Sequence, residues 1–144
     1  MCYVENAMDD LENLKPEIEK LAKEHNLLLV LLYGSQAKGK VSKDSDIDIA
    51  ILGAKPISTG DLITLNNEFA QIFKACEIDV KSLHKTDPLF RYQVMQNSVL
   101  LYGRSYDYLT FNSYAFRSYH DSKDLFRLKE TLIKKRIRSF NIPL

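Results

Sequence analysis

The apolar positions of the chain change period several times, and each change marks a boundary between elements. Leu11, Leu14, Ile18, Leu21 and Ala22 recur at three- and four-residue steps, which predicts a first helix. Pro16 is tolerable there if Asn13 lies near the cap, because first-turn N–H groups have no intrahelical partner. Leu27 to Tyr33 is an unbroken apolar run and reads as a buried strand; Gly34 and Ser35 end it, and Gln36 to Lys38 form a short helical turn before Gly39. Asp46 to Leu52 (DIDIAIL) alternates, with Ile47, Ile49 and Ile51 on one face and Asp46, Asp48 and Ala50 on the other, which predicts a second strand.

Downstream, Ser58 or Thr59 caps a helix whose buried stripe is Leu62, Leu65, Phe69, Ile72 and Phe73. Cys76 to Leu83 alternates again, with Cys76, Ile78 and Val80 on the core face and Glu77, Asp79 and Lys81 opposite. Asp87-Pro88 opens a further helix, and Ser98 to Tyr102 reads as a short closing strand. From Arg104 to about Arg138 the pattern is helical, in two segments meeting near His120 to Ser122, with Leu125, Leu128 and Leu132 as one stripe. The expected fold is an α/β (α+β) sandwich: a small mixed sheet with helices on one face, a carboxylate-bearing groove on the other, and a C-terminal helical extension.

Composition narrows this picture without changing it. At 144 residues, 45% hydrophobic and 27% charged, the chain suits one soluble domain spanning residues 1–144, with a core at about 10–103 and an arm at about 104–138. No apolar run approaches the roughly 20 residues of a membrane span. The acidic N-terminus and the absence of a lipidation motif point to a cytoplasmic address and to no membrane partner. Two cysteines, Cys2 and Cys76, offer neither a CxxC pair nor zinc-ligand spacing. The formal net charge of +1 leaves no global nucleic-acid footprint, so direct nucleic-acid binding is not expected. Charge is uneven all the same: residues 1–24 hold seven acids and three bases, residues 117–138 eight bases and three acids. The basic arm reads either as a solvated helix face or as a surface for an acidic partner or nucleic acid.

Candidate chemistry lies in Tyr33 to Asp48, YGSQAKGKVSKDSDID, where ten residues separate Gly34-Ser35 from the Asp46-x-Asp48 pair. Gly34 lets the backbone turn sharply and approach a phosphate, and Ser35 begins a helical turn whose free N–H groups attract anions. Two apart on a strand, Asp46 and Asp48 project from one face about 6 to 7 Å apart. Like charges so placed repel unless a cation neutralises them, and Mg2+, a hard ion that escorts nucleoside triphosphates, is the natural one. Asp79 on a neighbouring strand supplies a third carboxylate. Three acids suffice for two ions, one activating a hydroxyl and one stabilising departing pyrophosphate, which is nucleotidyl-transfer chemistry. Alone, Gly-Ser reads as a turn and Asp-x-Asp as an exposed edge; their ordered combination with the later Ile78-Asp79-Val80 strand is what carries the reading.

The same stretch resembles the GSx10DxD signature of the DNA polymerase beta-like nucleotidyltransferase superfamily. The run from DIDIAIL through CEIDVKSL to DPLFRYQVMQNSVLLYG is similar, in particular, to minimal nucleotidyltransferase (MNT) antitoxins, which pair with HEPN-domain ribonuclease toxins. The resemblance covers about residues 10–135. It implies an antitoxin that transfers AMP from Mg-ATP to a tyrosine of a cognate HEPN toxin. It also implies that Gly34 and Ser35 hold the triphosphate, that Asp46 and Asp48 hold metal, and that Asp79 serves the attacking hydroxyl through metal and base roles. The chain departs from the family where Gln36 and Lys38 stand in place of a frequent arginine. Lys38 keeps the charge for a phosphate contact but loses the bidentate fork, and Lys43 is a second basic candidate; the reading to prefer for either is a solvated side chain.

Tyr106, Tyr108, Tyr114 and Tyr119 read either as AMP acceptors within the chain or as packing aromatics. The HEPN signature, arginine followed four to six residues later by histidine, does not occur: His120 follows Arg117 by three, and no arginine precedes His25 or His84. Two rival functions remain, a binding-only antitoxin that masks its toxin and an aminoglycoside-type adenylyltransferase acting on a small molecule. The second usually needs a further helical domain.

Overall fold

The computed structural model describes residues 11–34, 47–74 and 77–140. Among the described residues, four helices and four strands follow in the order α1 (Leu11–Glu24), β1 (Leu27–Tyr33), β2 (Ile47–Gly53), α2 (Thr59–Phe73), β3 (Ile78–Ser82), α3 (Pro88–Gln96), β4 (Val99–Tyr102) and α4 (Ser105–Ser139). The sheet order is β3-β2-β1-β4, with β1 antiparallel to both β2 and β4 and β2 parallel to β3. Parallel pairing of β2 with β3 needs a crossover, and α2 supplies it.

The alternation of β2 divides the interior in two. Ile47, Ile49 and Ile51 join Val30, Leu32, Val80, Leu65 and Phe69 in a core beneath α1 and α2. Ala50 and Leu31 join Leu83, Val94, Met95 and Ala115 in a second cluster under α3 and α4. The helix layer expected on one face is thus α1 with α2, and α3 with α4 cover the apolar part of the opposite face as well, leaving the carboxylate end outside that cover.

Local chemistry explains the ends. Ser58 caps α2 by accepting from Asp61 N, and Lys74 closes it in the left-handed conformation. Asp87 accepts from Leu89 N, with Pro88 in the first turn of α3. The outward N–H of Val80 on edge strand β3 donates to Asn66 Oδ1 on α2 at 3.1 Å, which fixes the strand that bears Asp79. His84 Nε2 lies 3.1 Å from Gly53 N and 3.0 Å from Gly53 O, tying the β3–α3 loop to the end of β2.

Two expectations are corrected. Pro16 sits inside α1, which starts at Leu11, so the helix forgoes one backbone hydrogen bond rather than hiding the proline in its first turn. The arm is one continuous 35-residue helix, not two segments meeting near His120 to Ser122. Ser and Asp at mid-helix cost only a few tenths of a kcal/mol each, and neither Gly nor Pro interrupts Ser105–Ser139. Its stripe residues Leu125, Leu128 and Leu132 lie beyond the body and are exposed.

Candidate nucleotidyltransferase site

The site grows from the C-terminal end of β1 and the N-terminal ends of β2 and β3. Tyr33, the last residue of β1, is the register partner of Asp48 on β2, and Asp48 is in turn the register partner of Asp79 on β3. Register partners in a sheet project to the same face, so one row holds a phenol and two carboxylates from three adjacent strands. Two residues on from the aspartates, the row of Ala50 and Lys81 follows.

Gly34 stands immediately above this row with φ +78°, a conformation that favours glycine. A Cβ built there would meet the Asp48 carboxylate. A side chain at position 34 would therefore occupy space beside the Asp48 carboxylate.

Electrostatics on this face are acidic and partly dry. Asp79 is about half exposed (49%) and pairs with Lys81 at Nζ–Oδ2 3.4 Å. Tyr33 is half-buried, and its hydroxyl has no hydrogen-bond partner among the described residues. Burial, reinforced by the negative charges of Asp48 and Asp79, pushes the phenol well above its ordinary value of 10.0. Phe90 of α3 packs edge-on against Tyr33, with ring centroids 5.8 Å apart, and receives Lys81 Nζ over its face at 5.7 Å.

Of the residues singled out from the sequence, Gly34, Asp48 and Asp79 come together here. Ser35, Lys38, Lys43 and Asp46 lie outside the described residues, as do Cys2 and Cys76. Among the described residues no group of three acids, histidines or cysteines forms a metal cage. Asp48 and Asp79 nevertheless fit a divalent ion: both are hard oxygen donors in one register row, and the turn beside them is held clear by a glycine. Tyr33, Lys81 and Phe90 are site neighbours that the pattern left unassigned. Lys81 was detectable, because on an alternating strand it must share a face with Asp79.

The C-terminal tyrosines divide. Tyr119 stacks on Tyr92 at 4.4 Å and Tyr108 packs against the second cluster, whereas Tyr106 is 73% exposed.

The polymerase beta nucleotidyltransferase family matches residues 16–107. The chain belongs to this family. The matched span runs from α1 into the first turn of α4, so the nucleotidyltransferase region holds the whole sheet and both carboxylate-bearing strands. In fold, this nucleotidyltransferase is similar to a toxin–antitoxin solved with AMP-PNP, with 24% identity over 85% of this chain and 98% of the other and a TM-score of 0.69. It is similar also to a chain from the tri-AMPylated Shewanella oneidensis HEPN toxin in complex with MNT antitoxin, with 22% identity, 88% and 98% coverage and a TM-score of 0.65. A third is the toxin–antitoxin MntA–HepT, at 22% identity, the same coverage and a TM-score of 0.64. No curated protein matches the sequence. Among the described residues no helix is long and apolar enough to cross a membrane.

Proposed function

We propose that this nucleotidyltransferase is an antitoxin acting in the cytoplasm as a single minimal domain, transferring AMP from Mg-ATP to a tyrosine of a HEPN ribonuclease toxin and so neutralising it. The observation that carries this reading is the register row in which Asp48 and Asp79 lie side by side beneath the Gly34 turn. The fold shared with chains from toxin–antitoxin complexes, one with AMP-PNP and one with tri-AMPylated toxin, supports the choice of nucleotide and of acceptor.

In this reading Gly34, Ser35 and Lys38 receive the triphosphate, and Asp46, Asp48 and Asp79 hold two magnesium ions. Bound magnesium supplies charge neutralisation at the phosphates and acidifies the attacking hydroxyl. The toxin phenol oxygen forms a bond to the α-phosphorus in line, the bond from that phosphorus to the β-phosphate oxygen breaks, and pyrophosphate leaves with the electron pair. The phenol's pKa near 10 makes it a poor nucleophile at neutral pH, so Asp79 accepts its proton. Tyr33 does not compete as acceptor, since burial and the two carboxylates keep its own phenol protonated.

The test is transfer of label from ATP labelled at the α-phosphate to the toxin. Wild-type protein labels it, and Asp48→Asn lowers the rate by about 100-fold or more, the scale on which preorganised electrostatic groups act. Undiminished labelling by the variant would refute the site. Toxin neutralised by the variant at equal concentration, without label, would favour masking; label on a small amine or sugar instead of protein would favour a small-molecule enzyme.

A further inference from the structure

Lys81 bears on how the site loads. It is two residues from Asp79 on β3, on the same face, and its register partner is the small residue Ala50, so its stem has room to turn back along the strand. Its Nζ comes to 3.4 Å from Asp79 Oδ2 while lying 5.7 Å from the centre of the Phe90 ring. A cation of the protein's own is thus seated at one of the carboxylates assigned to magnesium. Both side chains are about half exposed, 53% for Lys81 and 49% for Asp79, so water reaches the pair and the contact can exchange.

We propose that Lys81 is a built-in counter-cation that competes with the divalent ion for Asp79; this rests on the assignment of Asp79 as a metal ligand given above. Two carboxylates in register on adjacent strands repel, and in the metal-free protein the Lys81 ammonium offsets that repulsion. When a divalent ion arrives with nucleotide, twice the charge meets the same oxygen and Lys81 gives way. The Phe90 face, over which the ammonium already lies while paired with Asp79, attracts it and so keeps the displaced charge beside the site. Lys81 is accordingly a positioning residue. It tunes the metal affinity of Asp79 and makes no bond to the reacting atoms.

The sign of the effect separates this role from a structural one. Removing a residue needed only to shape the site weakens metal binding, whereas removing a competitor tightens it. The experiment is Mn2+ binding to the full chain, followed by calorimetry and by the spin-resonance signal of free Mn2+, for wild type, Lys81→Gln and Lys81→Arg, with and without a non-hydrolysable ATP analogue. Lys81→Gln is expected to bind Mn2+ roughly threefold to tenfold more tightly, the effect of one nearby charge on a divalent ion in a largely solvated setting. Lys81→Arg, which keeps the charge, is expected to stay within about twofold of wild type. Wild type that binds Mn2+ while Lys81→Gln binds it equally or less tightly overturns the competitor role alone. If neither protein takes up Mn2+ even with nucleotide, the assignment of Asp79 falls, and this inference falls with it.

Discussion

Ile49 and Asp48 are neighbours on β2 and answer to opposite demands. Ile49 is fully buried in the core under α1 and α2, and its face of the sheet is almost wholly apolar. Asp48 faces the other way into a row with Tyr33 and Asp79, which sets two carboxylates on adjacent strands in register. The difference teaches that the functional face draws its geometry from the face behind it. Isoleucines fix the strand, α2 fixes β3 through Asn66, and the aspartates are thereby held in register without contributing to the core.

That division is open to direct attack. Ile49→Ala is expected to lower unfolding stability by about 2–5 kcal/mol, as for other buried large-to-small changes, whereas Asp48→Asn is expected to shift it by less than about 1 kcal/mol. Urea unfolding of the two variants checks this, and equal losses would break the contrast. Gly34→Ala comes next: with φ +78° and the Asp48 carboxylate against its Cβ, it is expected to cost about 1–2 kcal/mol and to weaken nucleotide binding in equilibrium titration. The smallest effect is expected from Tyr33→Phe, which removes a buried hydroxyl with no partner among the described residues and should be near neutral at pH 7. Its difference from wild type should appear in alkali. The folded phenol is held above 10.0, so the unfolded chain releases its proton first, and wild-type stability should fall as pH rises from about 10 towards the folded value. A Tyr33→Phe protein with the same alkaline decline would sharpen the question of which group titrates there.

Much of this was legible in the sequence because it was local. The DIDIAI alternation placed Ile47, Ile49 and Ile51 together and Asp48 opposite, β1 was readable to the residue as an apolar run stopped by Gly34, and Ser58 and Asp87 announced their helices. The pairing of Asp48 with Asp79 was anticipated as a shared polar face, but its register was not, because parallel strands joined through a helix are aligned by long-range packing. The second apolar cluster is hidden for the same reason: Val94, Met95 and Ala115 show little periodicity of their own and are buried by packing against Leu31, Ala50 and Leu83 from distant parts of the chain. The continuity of α4 was hidden by a polar cluster at His120 to Ser122 that a long helix tolerates. The alternation of β3 puts Lys81 on the face of Asp79, but Tyr33 is an ordinary aromatic before a turn until its neighbours Asp48 and Phe90 are known.

The central claim is that Asp48 and Asp79 jointly receive a divalent ion that accompanies nucleotide. A crystal of the protein grown with Mn2+ and a non-hydrolysable ATP analogue, with data collected at the manganese edge, tests it most directly. The account predicts an anomalous peak within coordination distance, about 2.0–2.3 Å, of oxygens from both aspartates and of the triphosphate. Nucleotide bound elsewhere, or manganese that touches neither carboxylate, would contradict it.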